Sequence, residues 1–225
     1  LWRAQDMLTH NGNLYPTHAL GPVAQWMNIN RGDRFDYLVS MCSKSRGMNV
    51  FAEEHFGKDH PSAKQVYMQG DVSTTLLRTV NGLTVTLYYD AQLPRPFDMM
   101  YRAQGTKGII LGTSDRIYVE GRSRWEEWET TAQYRKDFGH PLWDTLGRVA
   151  GQYGHGGADY IMMYRLIEAF RTGQPFEVDV YDAAVWSAVS PLSEVSVAQK
   201  SKAVDIPDFT RGKWKTNRPV EIFEA

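Results

Sequence analysis

"DVSTTLLRTVNGLTVTLYYDAQ", residues 71–92, is the clearest local signal in the chain. Two runs rich in Val, Thr, Leu and Tyr flank Asn81-Gly82, a pair that tolerates the positive φ angles of a type I′ turn, so the stretch predicts an antiparallel β-hairpin. Alternation places Leu83, Val85, Leu87 and Tyr89 on a core face, and Thr84, Thr86 and Tyr88 on a more polar one.

Toward the N-terminus, "FDYLVSMCSK" (35–44) has the apolar, β-branched character of another strand. Before it, "THALGPVAQWMNIN" predicts a helix over about 19–29. Pro22 fits a first turn, Val23, Trp26 and Met27 share a face, and the glycine of "INRGD" ends the helix. Toward the C-terminus, "LPRPF" is a loop stiffened by Pro94 and Pro96. "MMYRAQGTKGIILGTSDRIYVEG" (99–121) then reads as two further strand-like runs of an antiparallel meander, broken at Gly105, Gly108 and Gly112. Residues 121–139, dense in Trp, Glu and Arg without a clean period, read as a surface excursion. The last third is helical in three stretches. Ile161, Tyr164, Leu166, Ile167 and Phe170 trace an apolar stripe on the second, which Gly173 closes. Asp182 suits the start of the third, and Pro191 predicts a kink or a break in it. Strands followed by helices, rather than alternating with them, make the chain α+β.

Composition narrows the function. At 225 residues, with 42% hydrophobic, the chain can bury the core of one large domain. Lys plus Arg (25) nearly cancels Asp plus Glu (26), so a net charge of -1 gives no field for nucleic acid or an anionic membrane. No run approaches the ~20 apolar residues of a membrane span. Cys42 is the only cysteine, which excludes an intrachain disulfide and a Cys-based zinc site and reads as a small hydrophobe. No metal site is expected. Seven Trp and twelve Tyr supply flat surfaces suited to sugar rings or to partners. Neither G-x-G-x-x-G after a strand nor a P-loop is present, so nothing cradles a dinucleotide or triphosphate in the usual way.

Six histidines are the acid–base candidates. His10, His55 and His60 lie in polar surroundings and read as solvated; His140, before Pro141, reads as a cap or hinge. His155 in "GQYGHGGADY" sits among glycines that permit close approach of a ligand or of another chain segment, with Asp159 placed to cap the next helix. His18 is the strongest candidate. It stands beside a tyrosine, a rigid proline and a hydroxyl at a helix N-terminus, where the dipole disfavours imidazolium and leaves a base able to take a proton. A plain packing role at the helix start is the alternative.

The blocks "WR" (2–3), "NLYPTHALGPVAQWMNINRGDR" (13–34), "PRPF" (94–97), "QGTKG" (104–108), "GHGGADYIMMYRL" (154–166), "VYDAAVWSAVSPLSE" (180–194) and "IPDFTRGKW" (206–214) together resemble glycoside hydrolase family 109. That family belongs to the glucose-fructose oxidoreductase/inositol dehydrogenase/MocA superfamily. The resemblance implies that residues 1–225 are a C-terminal substrate-binding and oligomerisation domain, an open, mostly antiparallel β-sheet with helices packed on one face. An N-terminal Rossmann domain holding NAD would precede it. The implied activity is that of an α-N-acetylgalactosaminidase: NAD+ oxidises the sugar C3 hydroxyl, the C2 proton is acidified, the glycoside leaves by elimination, water adds and hydride returns. Such an enzyme needs no carboxylate pair flanking the bond. Carried over, Tyr15 and His18 match the Tyr-x-x-His motif, His18 as acid/base and Tyr15 as its hydrogen-bonding partner at the sugar. Arg3 matches a substrate-binding arginine, and His155 is counted with it. Phe97 stands where the family has a tyrosine, which removes one hydroxyl from the pocket. Leu14 replaces an aspartate common in the wider superfamily four residues before the histidine, which disfavours simple polyol dehydrogenation. A saccharide substrate and a homo-oligomer joined through the β-sheet are the implied partners. Relatives of this kind include exported bacterial proteins, whose signal would precede residue 1. A sugar or polyol oxidoreductase and a non-catalytic oligomerisation module are the rival readings.

Overall fold

The structure, a computed structural model, describes residues 2–220. In chain order the elements are α1 (Trp2–Asp6), α2 (Thr17–Trp26), β1 (Phe35–Cys42), α3 (Gly47–Phe56), α4 (Pro61–Lys64), β2 (Val72–Thr79), β3 (Thr84–Asp90), β4 (Arg102–Gly105), β5 (Gly108–Leu111) and β6 (Arg116–Val119). There follow α5 (Arg135–Phe138), α6 (Pro141–Ala150), α7 (Ala158–Thr172), α8 (Val180–Ala198) and β7 (Val204–Asp205). They form two compact units, residues 2–95 with Val178–Val220, and Pro96–Glu177.

In the first unit an antiparallel sheet of order β3-β2-β1-β7 carries α2 and α8 on one face. The α+β expectation therefore holds. Alternation buries Val85 and Leu87 on β3 and Leu77 on β2, while Phe35 and Leu38 are buried on β1. They meet Leu20 and Ala24 of α2 and Val185 and Val189 of α8 in one continuous core. Leu83, expected on that face, is half exposed, because it lies in the connection before β3 begins. Where short β7 leaves the edge of β1 unpaired, Ser196 of α8 accepts the Ser40 N–H at 2.9 Å.

The hairpin forms, with a different turn. Gly82 N–H donates to Thr79 O at 3.0 Å and Thr79 N–H to Leu83 O at 2.9 Å. Gly82, at φ +91°, takes the left-handed position, whereas Asn81 has no positive φ. A type I′ turn needs both, so the connection is a longer loop with a glycine bulge.

Helix α2 also departs from expectation. It begins at Thr17, with Pro16 as N-cap, so His18 lies inside the first turn and Pro22 beyond it. It ends at Trp26 with Met27 as C-cap, and the next residue, Asn28 (φ +51°), allows the Ile29 N–H to reach back to Ala24 O at 2.9 Å. This left-handed asparagine, and not Gly32, stops the helix. Trp26, assigned to the apolar face, is more than half exposed, since Leu20 and Ala24 fill the contact with the sheet. Pro191 does not divide α8, which runs unbroken through it. Asp179 and Asp182 form a reciprocal capping box at the start of α8.

The second unit holds the antiparallel sheet β4-β5-β6, three strands rather than two, and α5 to α7. Segment 121–139 is ordered around buried Tyr134, whose hydroxyl donates to Glu129, with Arg122 4.9 Å over its ring. Trp125 of this segment is exposed, as expected of a surface excursion. On α7 the predicted stripe is only partly covered: Ile161, Tyr164 and Leu166 are half-buried, while Ile167 and Phe170 are exposed. Gly173 (φ +69°) does end the helix.

Candidate active site

The Tyr-x-x-His segment is set by its surroundings before its side chains appear. Gly12 and Asn13 are buried, and a side chain at Gly12 would stand 2.6 Å from Ser193 Oγ and 2.8 Å from Glu194 Cγ. Glycine is needed there because α8 leaves no room. Pro16 then turns the chain into α2, so Tyr15 and His18 lie three residues apart across the helix start, both exposed.

Their rings stack, with centroids 5.1 Å apart and planes inclined by 28°. The Arg3 guanidinium on α1 lies 5.7 Å from the Tyr15 ring centroid, a cation–π distance. Arg3, Tyr15 and His18, predicted from separate stretches, are thus brought together on one surface of the first unit. Beside them Arg3 and Tyr15 line a shallow pocket with Asp6, Met7, Leu14 and Tyr89. A guanidinium, two phenols and an imidazole can donate to or accept from several hydroxyls of a sugar, while the aromatic faces suit its C–H surface.

Tyr89 was missed as a site residue. Alternation assigns it to the core face, and that face it does share, but β3 ends one residue later and its side chain opens into the pocket only half-buried. Burial pushes its hydroxyl above the ordinary phenol value; Arg3 opposes this and Asp6 adds to it. The bare alternation pattern carries no signal for such a position at a strand end.

Phe97 and His155 belong to the second unit. Phe97 is 85% exposed in the loop preceding β4. His155 is exposed with φ +52°, and its Nδ1 meets Asp159 Oδ2 at 2.8 Å. That carboxylate raises the imidazole above its ordinary value by hydrogen bond and charge. Asp159 therefore holds His155 rather than capping α7, whose N-cap is Gly157. The close approach foreseen among these glycines is met by the chain itself: a side chain at Gly157 (φ +100°) would stand 2.8 Å from the main chain of Ala150.

Of the remaining histidines, His140 caps a helix as expected, while His10, His55 and His60 are more engaged than expected. His60 and His140 each accept the N–H two residues on, from Ser62 and Leu142, at 3.2 Å, and so cap α4 and α6. Each precedes a proline at the first helical position, a signal present in the sequence. His55 bonds Phe51 O at 2.9 Å, and His10 pairs with Glu194 at 2.9 Å. Cys42 is half-buried, and burial pushes its thiol up, away from a reactive thiolate. Among the described residues no three of His, Cys, Asp and Glu stand close enough to hold a metal, and no helix is long and apolar enough to cross a membrane.

The sequence profile "Glycosyl hydrolase 109, C-terminal domain" matches residues 1–216. The chain belongs to that family. It is 46% identical over 218 residues to the alpha-N-acetylgalactosaminidase of Tannerella forsythia, an alignment covering 97% of this chain and 47% of that protein. It is 48% identical over 220 residues to a glycosyl hydrolase family 109 protein of Solibacter usitatus, covering 97% and 50%. The chain thus spans about half the length of the curated relatives it matches. Among solved structures it resembles levoglucosan dehydrogenase in complex with NADH and levoglucosan, with TM-score 0.60 and 17% identity over 92% of this chain and 54% of that one. An oxidoreductase domain protein from Kribbella flavida gives TM-score 0.61 at 16% identity, over 92% and 53%. At such identities the likeness is one of fold: an open sheet with helices, of the oxidoreductase type.

Proposed function

We propose that this chain is the substrate-binding part of a glycosidase that uses NAD and releases α-linked N-acetylgalactosamine or a related sugar by transient oxidation at C3, elimination, hydration and re-reduction. The observation that carries the reading is the convergence of Arg3, Tyr15 and His18, from two helices and the segment between them, on one pocket-lined surface. The 46%-identical relative named alpha-N-acetylgalactosaminidase supports the substrate.

The described residues do not fit a dinucleotide cradle, since every strand pair within the two sheets is antiparallel and none leads through a glycine-rich turn into a helix. We assign the cofactor to a Rossmann domain preceding this chain in a longer protein, as the family resemblance implies and as relatives about twice this length support. When bound, NAD supplies the reversible uptake of hydride from the sugar. The residues on this chain bind and move protons. His18 takes the proton from a sugar hydroxyl or carbon at an imidazole nitrogen and returns it. Tyr15 orients that ring by stacking, and its hydroxyl bonds the sugar. Arg3 holds a hydroxyl or amide oxygen. Phe97 and His155, on the second unit, are proposed as substrate contacts on the family resemblance alone, and the lost hydroxyl at Phe97 shifts preference among sugars, because a site built without a donor discriminates differently from one that has it.

The test is release of chromophore from an α-N-acetylgalactosaminide by the longer protein with its bound NAD. His18→Ala is expected to abolish it at least about 100-fold. Equal release by the variant would sink the role of His18. Accumulation of reduced nicotinamide on free sugar, without hydrolysis, would favour the oxidoreductase instead.

A second copy of the chain is proposed as partner. The sheet face turned away from α2 and α8 carries Met41, Leu76 and Tyr88, each more than half exposed. In register, Met41 faces Thr74, which faces Tyr88, and Val39 faces Leu76, so the apolar side chains form one patch across three strands.

A further inference from the structure

We infer that Gln69 is a positioning residue for the Tyr15–His18 segment, an inference that rests on the site reading above. Gln69 lies 57 residues from the segment in sequence and is fully buried. Its side chain treats Gly12 as one strand treats another: Oε1 accepts the Gly12 N–H at 3.1 Å and Nε2 donates to the Gly12 carbonyl at 3.0 Å. Asn11 reciprocates by accepting the Gly70 N–H at 3.1 Å. On the far side Ser193 Oγ accepts the Asn13 N–H at 2.8 Å and donates to Ser190 O at 2.7 Å.

Every main-chain polar group made buried at Gly12 is thereby met by one amide, and α8 fixes the next residue. Two residues later the chain presents Tyr15. The same short stretch holds the arginine helix. Met68 and Gln69 both donate their N–H to Met7 O, at 3.0 and 3.1 Å, one residue beyond α1. Residues 68–70 are thus a strut that sets the Tyr-x-x-His segment by a side chain and the Arg3 helix by main chain. A substitution at Gln69 loosens the first tie and spares the second. The Gln69 side chain is not among those lining the pocket, so its effect passes through Tyr15 and His18, where displacement of about 1 Å costs up to about 100-fold in rate.

The experiment uses the longer protein with bound NAD, with rates expressed per folded, NAD-loaded centre. Gln69→Leu keeps the bulk and leaves both Gly12 groups unpaired; Ser193→Ala is a gentler second variant. Asn49→Ala is the control, because Asn49 Nδ2 bonds Ser62, Ala63 and Gln65 carbonyls at 3.3, 3.1 and 2.9 Å in a segment without site residues. The expected result is a fall in kcat of at least about tenfold for Gln69→Leu. Ser193→Ala should give a smaller fall; in both clamp variants the change in kcat should exceed that in KM for the chromogenic glycoside, and Asn49→Ala should stay at the wild-type rate. In a Tyr15→Phe background the Gln69→Leu loss should shrink, since both act on one geometry. Wild-type kcat in both clamp variants, or an undiminished loss in the Tyr15→Phe background, would overturn the positioning role while leaving the site intact. If Tyr15→Phe and His18→Ala themselves match the wild type, the site reading fails first and the clamp with it.

Discussion

Asp182 shows how much one side chain can hold. It is 1% exposed and receives Arg31 through both oxygens at 2.9 and 2.7 Å, Asn30 at 3.0 Å, and the Asp179 N–H at 3.1 Å. Asp182→Ala would strand the Arg31 guanidinium in a site built for its pair, which costs about 3–5 kcal/mol. Denaturant unfolding should show that loss as a lower midpoint; a change below about 1 kcal/mol would mean that Arg31 finds water. Two histidines of the second unit should titrate in opposite senses. Burial, helped by the charge of Arg165, lowers His140 from about 6.5, so its helix-capping contribution is present above that value and is lost as pH falls toward its folded value. Asp159 raises His155, so that pair contributes below about 6.5 and is lost as pH rises through the folded value. Ring-proton NMR titration should place the His155 midpoint above His140, and Asp159→Asn should bring His155 down. Coincident midpoints would contradict both environments.

Among the elements, α3 has the most dispersed support. Its own N-cap, Arg46, offers no side-chain acceptor. Asp71, just before β2, accepts Arg46 N–H at 3.0 and 2.9 Å and Gly47 N–H at 2.8 Å. A carboxylate placed there also meets the positive end of the helix dipole. Asp71→Ala should therefore destabilise the chain by about 1–2 kcal/mol and raise hydrogen exchange in the first turn of α3. Unchanged exchange would show that solvent replaces the cap. Local sequence around "SRGMNV" contains no such signal, because the capping residue arrives 25 positions later. The hairpin was legible for the opposite reason: its strands, turn and pairing lie within about twenty residues, and alternation reports burial directly. Even there, the turn type depended on how Thr79 Oγ1 takes the Leu83 N–H at 3.0 Å.

At the scale of the whole molecule, the uncovered sheet face makes assembly a testable property. Leu76→Arg places a charge in the centre of the Met41–Leu76–Tyr88 patch without touching the core on the other side. Light scattering should show the wild-type protein as an oligomer and the variant shifted toward monomer, with hydrolysis measured alongside. A wild-type monomer would dismiss the patch as an interface. An oligomer unaffected by the charge would place the contact elsewhere.

From the amino-acid sequence came the α+β class, the strand near 35–42, the 71–92 hairpin, helix α2 and the helical last third, and the candidate pair Tyr15 and His18; α1, α3, α4, α5, β7 and one strand of the second sheet did not. Each of the former rests on short-range periodicity or on a contiguous motif. Only tertiary structure set the Arg3 guanidinium over the Tyr15 ring, opened Tyr89 beside it and let Gln69 and Ser193 hold the segment from behind. It also decided that Trp26, Ile167 and Phe170 stay exposed although their spacing is that of a buried face. Contacts between residues tens to more than a hundred positions apart leave no periodic trace in one chain. They arise only when the core of β1, β2, α2 and α8 closes and buried polar groups must find partners.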